Sequence, residues 1–224
     1  MSERGYRAPR MVLFFFGLSL IIAGCATRQP PIKEPAPTVP DSVTLAVPPI
    51  PVPIEPEADV EYIRGTHYGG WRRVDGQCYD VRGAVLVEES LIPVTIEPTS
   101  SPSRCRVVEG QWYDPYTDQI YTSADDVEID HFVPLKEAHR SGAYAWSDEE
   151  RRAYANDLSY EHHLIAVYGS ENGSKGARDP AKWLPPNTAF HCEYVAIWLT
   201  VKQRWSLTMD EAEAAAIREV LSGC

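Results

Sequence analysis

The chain is short of positive charge, of cysteine and of long apolar runs, and each shortage removes a class of function. Among 224 residues, 21 are Lys or Arg against 32 Asp or Glu, a formal net charge of −11 at pH 7. A surplus of that sign repels polyanions, so any nucleic-acid binding must rest on a local basic strip rather than on overall charge. Five cysteines are present and none forms a Cys-x-x-Cys pair, which argues against a tetrahedral structural zinc site. The longest apolar run, Met11 to Gly24 (MVLFFFGLSLIIAG), is too short for a permanent membrane-spanning helix of ~20 residues. No internal repeat is visible, and no glycine falls between Thr27 and Asp59.

What is present organises the chain into three parts. Arg4, Arg7 and Arg10 precede the apolar run and Cys25 follows it. A basic start, a short apolar stretch and small residues at its end make a secretory signal over residues 1–24. The ending Ile22-Ala23-Gly24-Cys25 resembles a bacterial lipobox. That resemblance implies cleavage before Cys25, lipidation of that residue, and a membrane anchor made of acyl chains. Cleavage would remove three Arg and one Glu, deepening the net charge by two to −13. Ten of the nineteen prolines lie between Thr27 and Asp59. Such a segment favours extended polyproline II and packs no core, so residues 25–60 read as a stalk and residues 61–224 as the folded domain. The expected location is a membrane-anchored, exported lipoprotein at an outer membrane or cell surface, facing periplasm or exterior. With Cys25 assigned to lipid, Cys78, Cys105, Cys192 and Cys224 remain. An even number in an exported chain suggests two disulfides, with three pairings open. Cys78–Cys105 and Cys192–Cys224 are preferred, because each pair brackets one structural unit.

The folded part reads as α+β, with a small β-rich N-terminal part followed by a helix-rich C-terminal half. Residues 80–90 (DVRGAVLVEES) suggest a strand by Val and Leu content, and residues 105–122 a hairpin around the turn signal YDPYTD. After Pro134 the pattern turns helical. Ser147 with Glu150 forms a capping box, Leu164–Gly169 a short buried strand, and Thr188–Trp205 a helix. Thr208 with Glu211 suggests a second capping box.

Within this frame the stretch EIDHFVPLKEAH, Glu128 to His139, places Asp130 and His131 among apolar residues. Further on come His162-His163, Asn172 and the basic run NGSKGARDPAKW. Hydrolysis of a phosphodiester needs a base that is neutral near pH 7, as imidazole is. It also needs a hard cation held by oxygen ligands, which a carboxylate and an amide supply. Neighbouring side chains on a strand face opposite ways, so Asp130 and His131 share one centre only where the strand bends or ends. Pro134 suits such a break.

Asp130-His131 with Phe132-Val133-Pro134-Leu135, then Ser170-Glu171-Asn172-Gly173-Ser174-Lys175-Gly176 and Asp179-Pro180-Ala181-Lys182-Trp183-Leu184-Pro185-Pro186, resembles the HNH nucleases with a ββα-metal core. The nearer likeness is to the exported group related to DUF1524, and it runs from about Cys78 to Cys224. The resemblance implies His131 as general base and Asp130 with Asn172 as ligands of one divalent metal, Mg²⁺ first and Mn²⁺ or another divalent ion next. It places His163 where the family carries an asparagine that braces the loop, a departure that leaves bracing as the first reading and metal binding or tuning of the pH profile as alternatives. Lys175 and Arg178 are candidate contacts to phosphates beside the scissile bond; the plainer reading is an ordinary helix lysine and an Arg178–Asp179 pair. Glu128 shares the face of Asp130 on a regular strand and is a candidate outer-shell metal residue. The expected activity is metal-dependent endonuclease action on nucleic acid, DNA before RNA, outside the cytoplasm. No protein partner is implied. The competing reading is a catalytically silent surface lipoprotein that uses the same fold as a binding module, favoured by the acidic charge and by His163.

Overall fold

The computed structural model describes residues 52–224. The signal segment, Cys25 and most of the proline-rich stretch lie outside the described residues. Residues 52–60, expected to belong to the stalk, already pack. Val52 is buried, Ile54 forms a parallel bridge to Met209, and Glu55 N donates to Met209 O over 2.9 Å. Among the described residues, packing against the body therefore already includes residues ahead of 61.

A single helical turn, α1 (Arg64–His67), is followed by α2 (Val81–Glu88). The strand expected over residues 80–90 is thus a helix. Asp80 caps it by accepting from Gly83 N over 3.2 Å, and Val81, Val85 and Leu86 bury one face. That helical spacing and the cap outweigh the β propensity of the valines. Gly83 is required, because a Cβ there would come within 2.5 Å of Tyr79 Cβ. β1 (Thr95–Pro98), β2 (Cys105–Asp114) and β3 (Gln119–Ser123) form an antiparallel sheet in the order β1-β2-β3, and β2–β3 is the expected hairpin.

β4 (Val127–His131) pairs with the distant β5 (Leu164–Tyr168) in an antiparallel ribbon, registered from Val127↔Tyr168 to His131↔Leu164. The excursion between them carries α3 (Leu135–Arg140) and α4 (Asp148–Tyr154), the latter opened by the expected Ser147–Glu150 capping box. α5 (Gly169–Lys175) leaves β5 directly. α6 (His191–Arg204) and α7 (Glu211–Ser222) close the chain. The cap of α7 is Asp210, which accepts from Glu213 N over 2.7 Å, rather than Thr208. The Thr208 N–H and hydroxyl instead go to Ser141 O.

The ribbon divides two cores. Val127, Ile129, Leu164 and Ala166 face Leu86, Val107 and Trp112, while Phe132, Ile165 and Val167 face Tyr194, Trp198 and the C-terminal helices. A ribbon buried on both faces gains ~1.5–3 kcal/mol per fully buried large apolar side chain, so its register and hence the facing of residues 128–131 are strongly specified. Lys202, fully buried, holds α3, α6 and α7 together. Its ammonium donates to Glu137 (3.0 Å), Ser141 Oγ (3.2 Å), Thr208 O (2.8 Å) and Glu213 (2.7 Å). The disulfides are Cys78–Cys105 and Cys192–Cys224, the preferred pairing. With partners 27 and 32 positions apart in sequence, each contributes about 3–4 kcal/mol in the chain-entropy account.

Glu89, at the end of α2, turns its carboxylate to the outer edge of β5 and accepts from Ala166 N over 2.7 Å. Burial is the chief influence on it and pushes its pKa up from 4.5 to about 8. The folded state then holds a proton that the unfolded chain has released, so stability falls as pH rises between about 4.5 and 8. Glu89→Gln is expected to flatten that part of the stability–pH curve in urea titrations. An unchanged slope would show that the carboxylate is ionised in the fold.

Candidate active site

His131 ends β4, and its ring sits among buried groups with 6 % exposure. Nε2 lies 3.0 Å from Ala155 O. A carbonyl only accepts, so Nε2 carries the ring proton and Nδ1 presents a lone pair. Among the described residues nothing bonds Nδ1. The ring stacks on Trp71 at 5.1 Å between centroids and 2° between planes. It forms part of the wall of a pocket of about 80 Å³ shared with Arg64, Gly69, Gly70, Trp71, Leu135 and Ala155. Burial lowers its pKa to about 3, so the imidazole is neutral at ordinary pH. The geometry is that of a tautomer-locked base facing an opening.

The carbonyl that locks it is itself held. His163, fully buried at the start of the return strand, donates from Nε2 to Tyr154 O over 2.7 Å, one residue before Ala155. Tyr154 Oη donates to Val133 O over 2.6 Å, and Phe132 N donates to His163 O over 3.0 Å. His163 Nδ1 is buried without a partner among the described residues. Burial lowers the pKa of this imidazole too.

Asp130 points the other way, into the helical core. It accepts from Tyr116 Oη over 2.7 Å and forms an ion pair with the Lys175 ammonium. Lys175 is fully buried and also donates to Phe132 O over 2.7 Å. Two expectations change here. Lys175 is not a surface contact for phosphate, because its head group is sealed between strand carbonyls and Asp130. The Asp130 carboxylate, 3 % exposed, is committed to that pair and is not open to a cation. Asn172, on α5, reaches Glu128 instead: its amide nitrogen donates to Glu128 Oε2 over 2.7 Å. Arg178 is exposed after α5, and Asp179 pairs with Lys182 rather than with Arg178. Strand alternation thus separates Glu128–Asn172 and Asp130–Lys175 from His131, on opposite faces of the ribbon.

The donors available to a divalent cation are the Glu128 carboxylate and the Asn172 amide oxygen, hard ligands of the type Mg²⁺ takes in small number beside water. The acidic cluster Glu57, Asp179 and Asp210 fits less well, since Arg140 and Lys182 already approach Glu57 within 3.3 and 3.7 Å and Lys182 pairs with Asp179. Sequence reasoning missed Arg64, Gly69, Gly70 and Trp71. The signal for them was a Gly-Gly-Trp run among arginines, RGTHYGGWRR, in a chain otherwise poor in positive charge.

A buried, tautomer-fixed histidine ends one strand of an antiparallel pair, and a helix brings an amide beside a carboxylate of that strand. These parts could supply a base on one face of the ribbon and oxygen ligands on the other, in an α+β protein. Residues 87–220, more than half of the chain, match the family described as GmrSD restriction endonucleases, C-terminal domain, and the chain belongs to that family. It is also 36% identical over 154 residues to an uncharacterized secreted protein of Arthroderma benhamiae, covering 69% of this chain and 72% of the relative. No solved structure matches it.

Proposed function

We propose that the protein is a metal-dependent nuclease of the HNH, ββα-metal type that hydrolyses phosphodiester bonds of nucleic acid, DNA first, outside the cytoplasm. The observation that carries the reading is a neutral His131 that lines a pocket with Nε2 committed to Ala155 O and Nδ1 unbonded among the described residues, in a chain of an endonuclease family. In this mechanism Nδ1 takes a proton from water as the water oxygen attacks phosphorus in line. The Nε2–H···O bond to Ala155 then stabilises the imidazolium. His163, through Tyr154 O, keeps the Ala155 carbonyl in place and so acts as the brace. The products carry 5′-phosphates. The departing oxygen takes a proton from solvent. Glu128 and Asn172 could hold a divalent cation, with Mg²⁺ the best fit, but they lie on the face of the ribbon opposite His131, so a cation there stands apart from the proton transfer at Nδ1.

Plasmid cleavage tests this reading. Activity is expected with Mg²⁺ and to be absent in EDTA, and Glu128→Gln, Asn172→Ala and an equally folded Asp130→Asn compare the candidate ligands. Full activity in EDTA would remove the metal from the reading, and a larger loss in Asp130→Asn would return the ligand role to that residue. The Asp130–Lys175 pair favours one second reading, a silent binding module; that reading requires complete inactivity together with nucleic-acid binding.

The secreted relative, the two disulfides and the N-terminal signal-like segment together support an extracytoplasmic setting. Within it, the lipobox-like stretch supports Cys25 as the lipid anchor. Incorporation of labelled fatty acid, lost in Cys25→Ala, is the expected result. Labelling that persists in the variant would remove the anchor.

A further inference from the structure

The sequence placed its basic strip after Asn172, yet the arginine that lines the pocket with His131, Arg64, comes from a segment outside the family match. Arg64, Gly69, Gly70 and Trp71 line the same pocket as His131, and all four precede residue 87, where the matched region begins. Tyr68 is right-handed, at φ −115° and ψ −17°, and Gly69 follows at φ +68°. Successive residues of opposite hand turn their N–H groups into one concavity, an arrangement that binds anions. Tyr68 N is taken by Arg64 O, but among the described residues the N–H groups of Gly69, Gly70 and Trp71 have no acceptor. Nothing lies within 4 Å of the place a Gly70 side chain would occupy, so the concavity has room.

Two guanidinium groups stand at this concavity. Arg64 is exposed and Arg152 Nε lies 3.9 Å from the position of a Gly69 Cβ. Among the described residues neither forms an ion pair, in a chain of net charge −11. Unpaired arginines beside free backbone amides match the planar, multiply accepting oxygens of a phosphate.

We propose that Arg64, Arg152 and the amides of Gly69 and Gly70 form an anion subsite that grips a backbone phosphate of the nucleic-acid strand next to the one attacked from His131. The assignment rests on the nuclease reading and deepens it. The base comes from the family-matched region, and the phosphate grip comes largely from this chain's own N-terminal segment. Trp71 joins the two, since it follows the glycine pair and stacks on the His131 ring.

The test is amide NMR of the protein in EDTA, titrated with inorganic phosphate and with a short oligothymidylate, alongside cleavage kinetics with Mg²⁺. The Gly69 and Gly70 signals are expected to move with both ligands, and the oligonucleotide is expected to bind more tightly. Arg64→Ala and Arg152→Ala should each weaken oligonucleotide binding about tenfold and lower the slope of log affinity against log salt by about one. In cleavage they should raise KM more than they lower kcat. Unmoved glycine signals, or two arginine variants that bind and cleave as the parent does, would overturn the subsite and leave the nuclease reading standing. Signals that move with inorganic phosphate but not with the oligonucleotide would overturn its assignment to nucleic acid. Binding that follows the predicted pattern without any cleavage would support the subsite and remove the nuclease reading.

Discussion

His131→Ala is expected to lower the rate of plasmid cleavage by about 10²–10⁴-fold, the usual contribution of a positioned general base. No neighbouring group substitutes for it. Asp130 faces the other core, and His163 spends Nε2 on Tyr154 O with Nδ1 sealed from solvent. The variant also leaves Ala155 O without its donor and Trp71 without its stacking partner, so the thermal midpoint must be followed beside the rate. A retained fold with lost cleavage identifies the base, and full cleavage by a folded His131→Ala protein would end the mechanism. The pH profile gives a second reading of the same group. A solvent-exposed imidazole would lose its base function as pH fell through about 6.5. Burial keeps His131 neutral well below that value, with a pKa of about 3. The acid limb of kcat/KM is therefore expected at lower pH than an ordinary histidine gives. A limb at 6.5 would show that the imidazole is hydrated in the working enzyme.

Lys175→Ala is expected to cost about 3–5 kcal/mol of folding stability, the range for removing one partner of a buried ion pair. It leaves the buried Asp130 carboxyl without its cation, where burial pushes its pKa up, and removes the donor to Phe132 O. Urea denaturation measures the loss. Asp130→Ala with Lys175→Ala should recover part of it, since the two side chains interact directly and their effects do not add. A phosphate-contact lysine would behave otherwise: stability would hold while KM rose. That outcome would return Lys175 to the substrate face and open Asp130 to a cation.

Much of the architecture was legible because it rests on local signals. The hairpin over Cys105–Ser123, the capping box at Ser147, the short strand from Leu164 and the helix ending near Trp205 follow from turn residues, caps and apolar spacing. The disulfide pairing was legible too, because each pair brackets one unit. The helix Val81–Glu88 was misread because valines favour strands on average, while a cap at Asp80 and a glycine packed on Tyr79 decide the matter locally. Likewise Thr208 had the right spacing for a capping box, but its groups were already drawn to Ser141, leaving the cap to Asp210.

By itself the sequence determined which chemistry the chain carries: a histidine at a strand end, an amide on the following helix, four cysteines for an oxidising compartment, and an acidic balance that demands a local basic contact. Only the tertiary structure decided how those groups divide. Strand alternation under two cores sends Asp130 to Lys175, Glu128 to Asn172 and His131 to Ala155 O, three destinations for one five-residue strand. It also brings Arg64 and the Gly69-Gly70 turn to His131 from more than sixty residues away in sequence. Spacing along a chain reports local geometry. Which buried charge meets which partner depends on packing between distant segments, where desolvation makes every unpaired group costly.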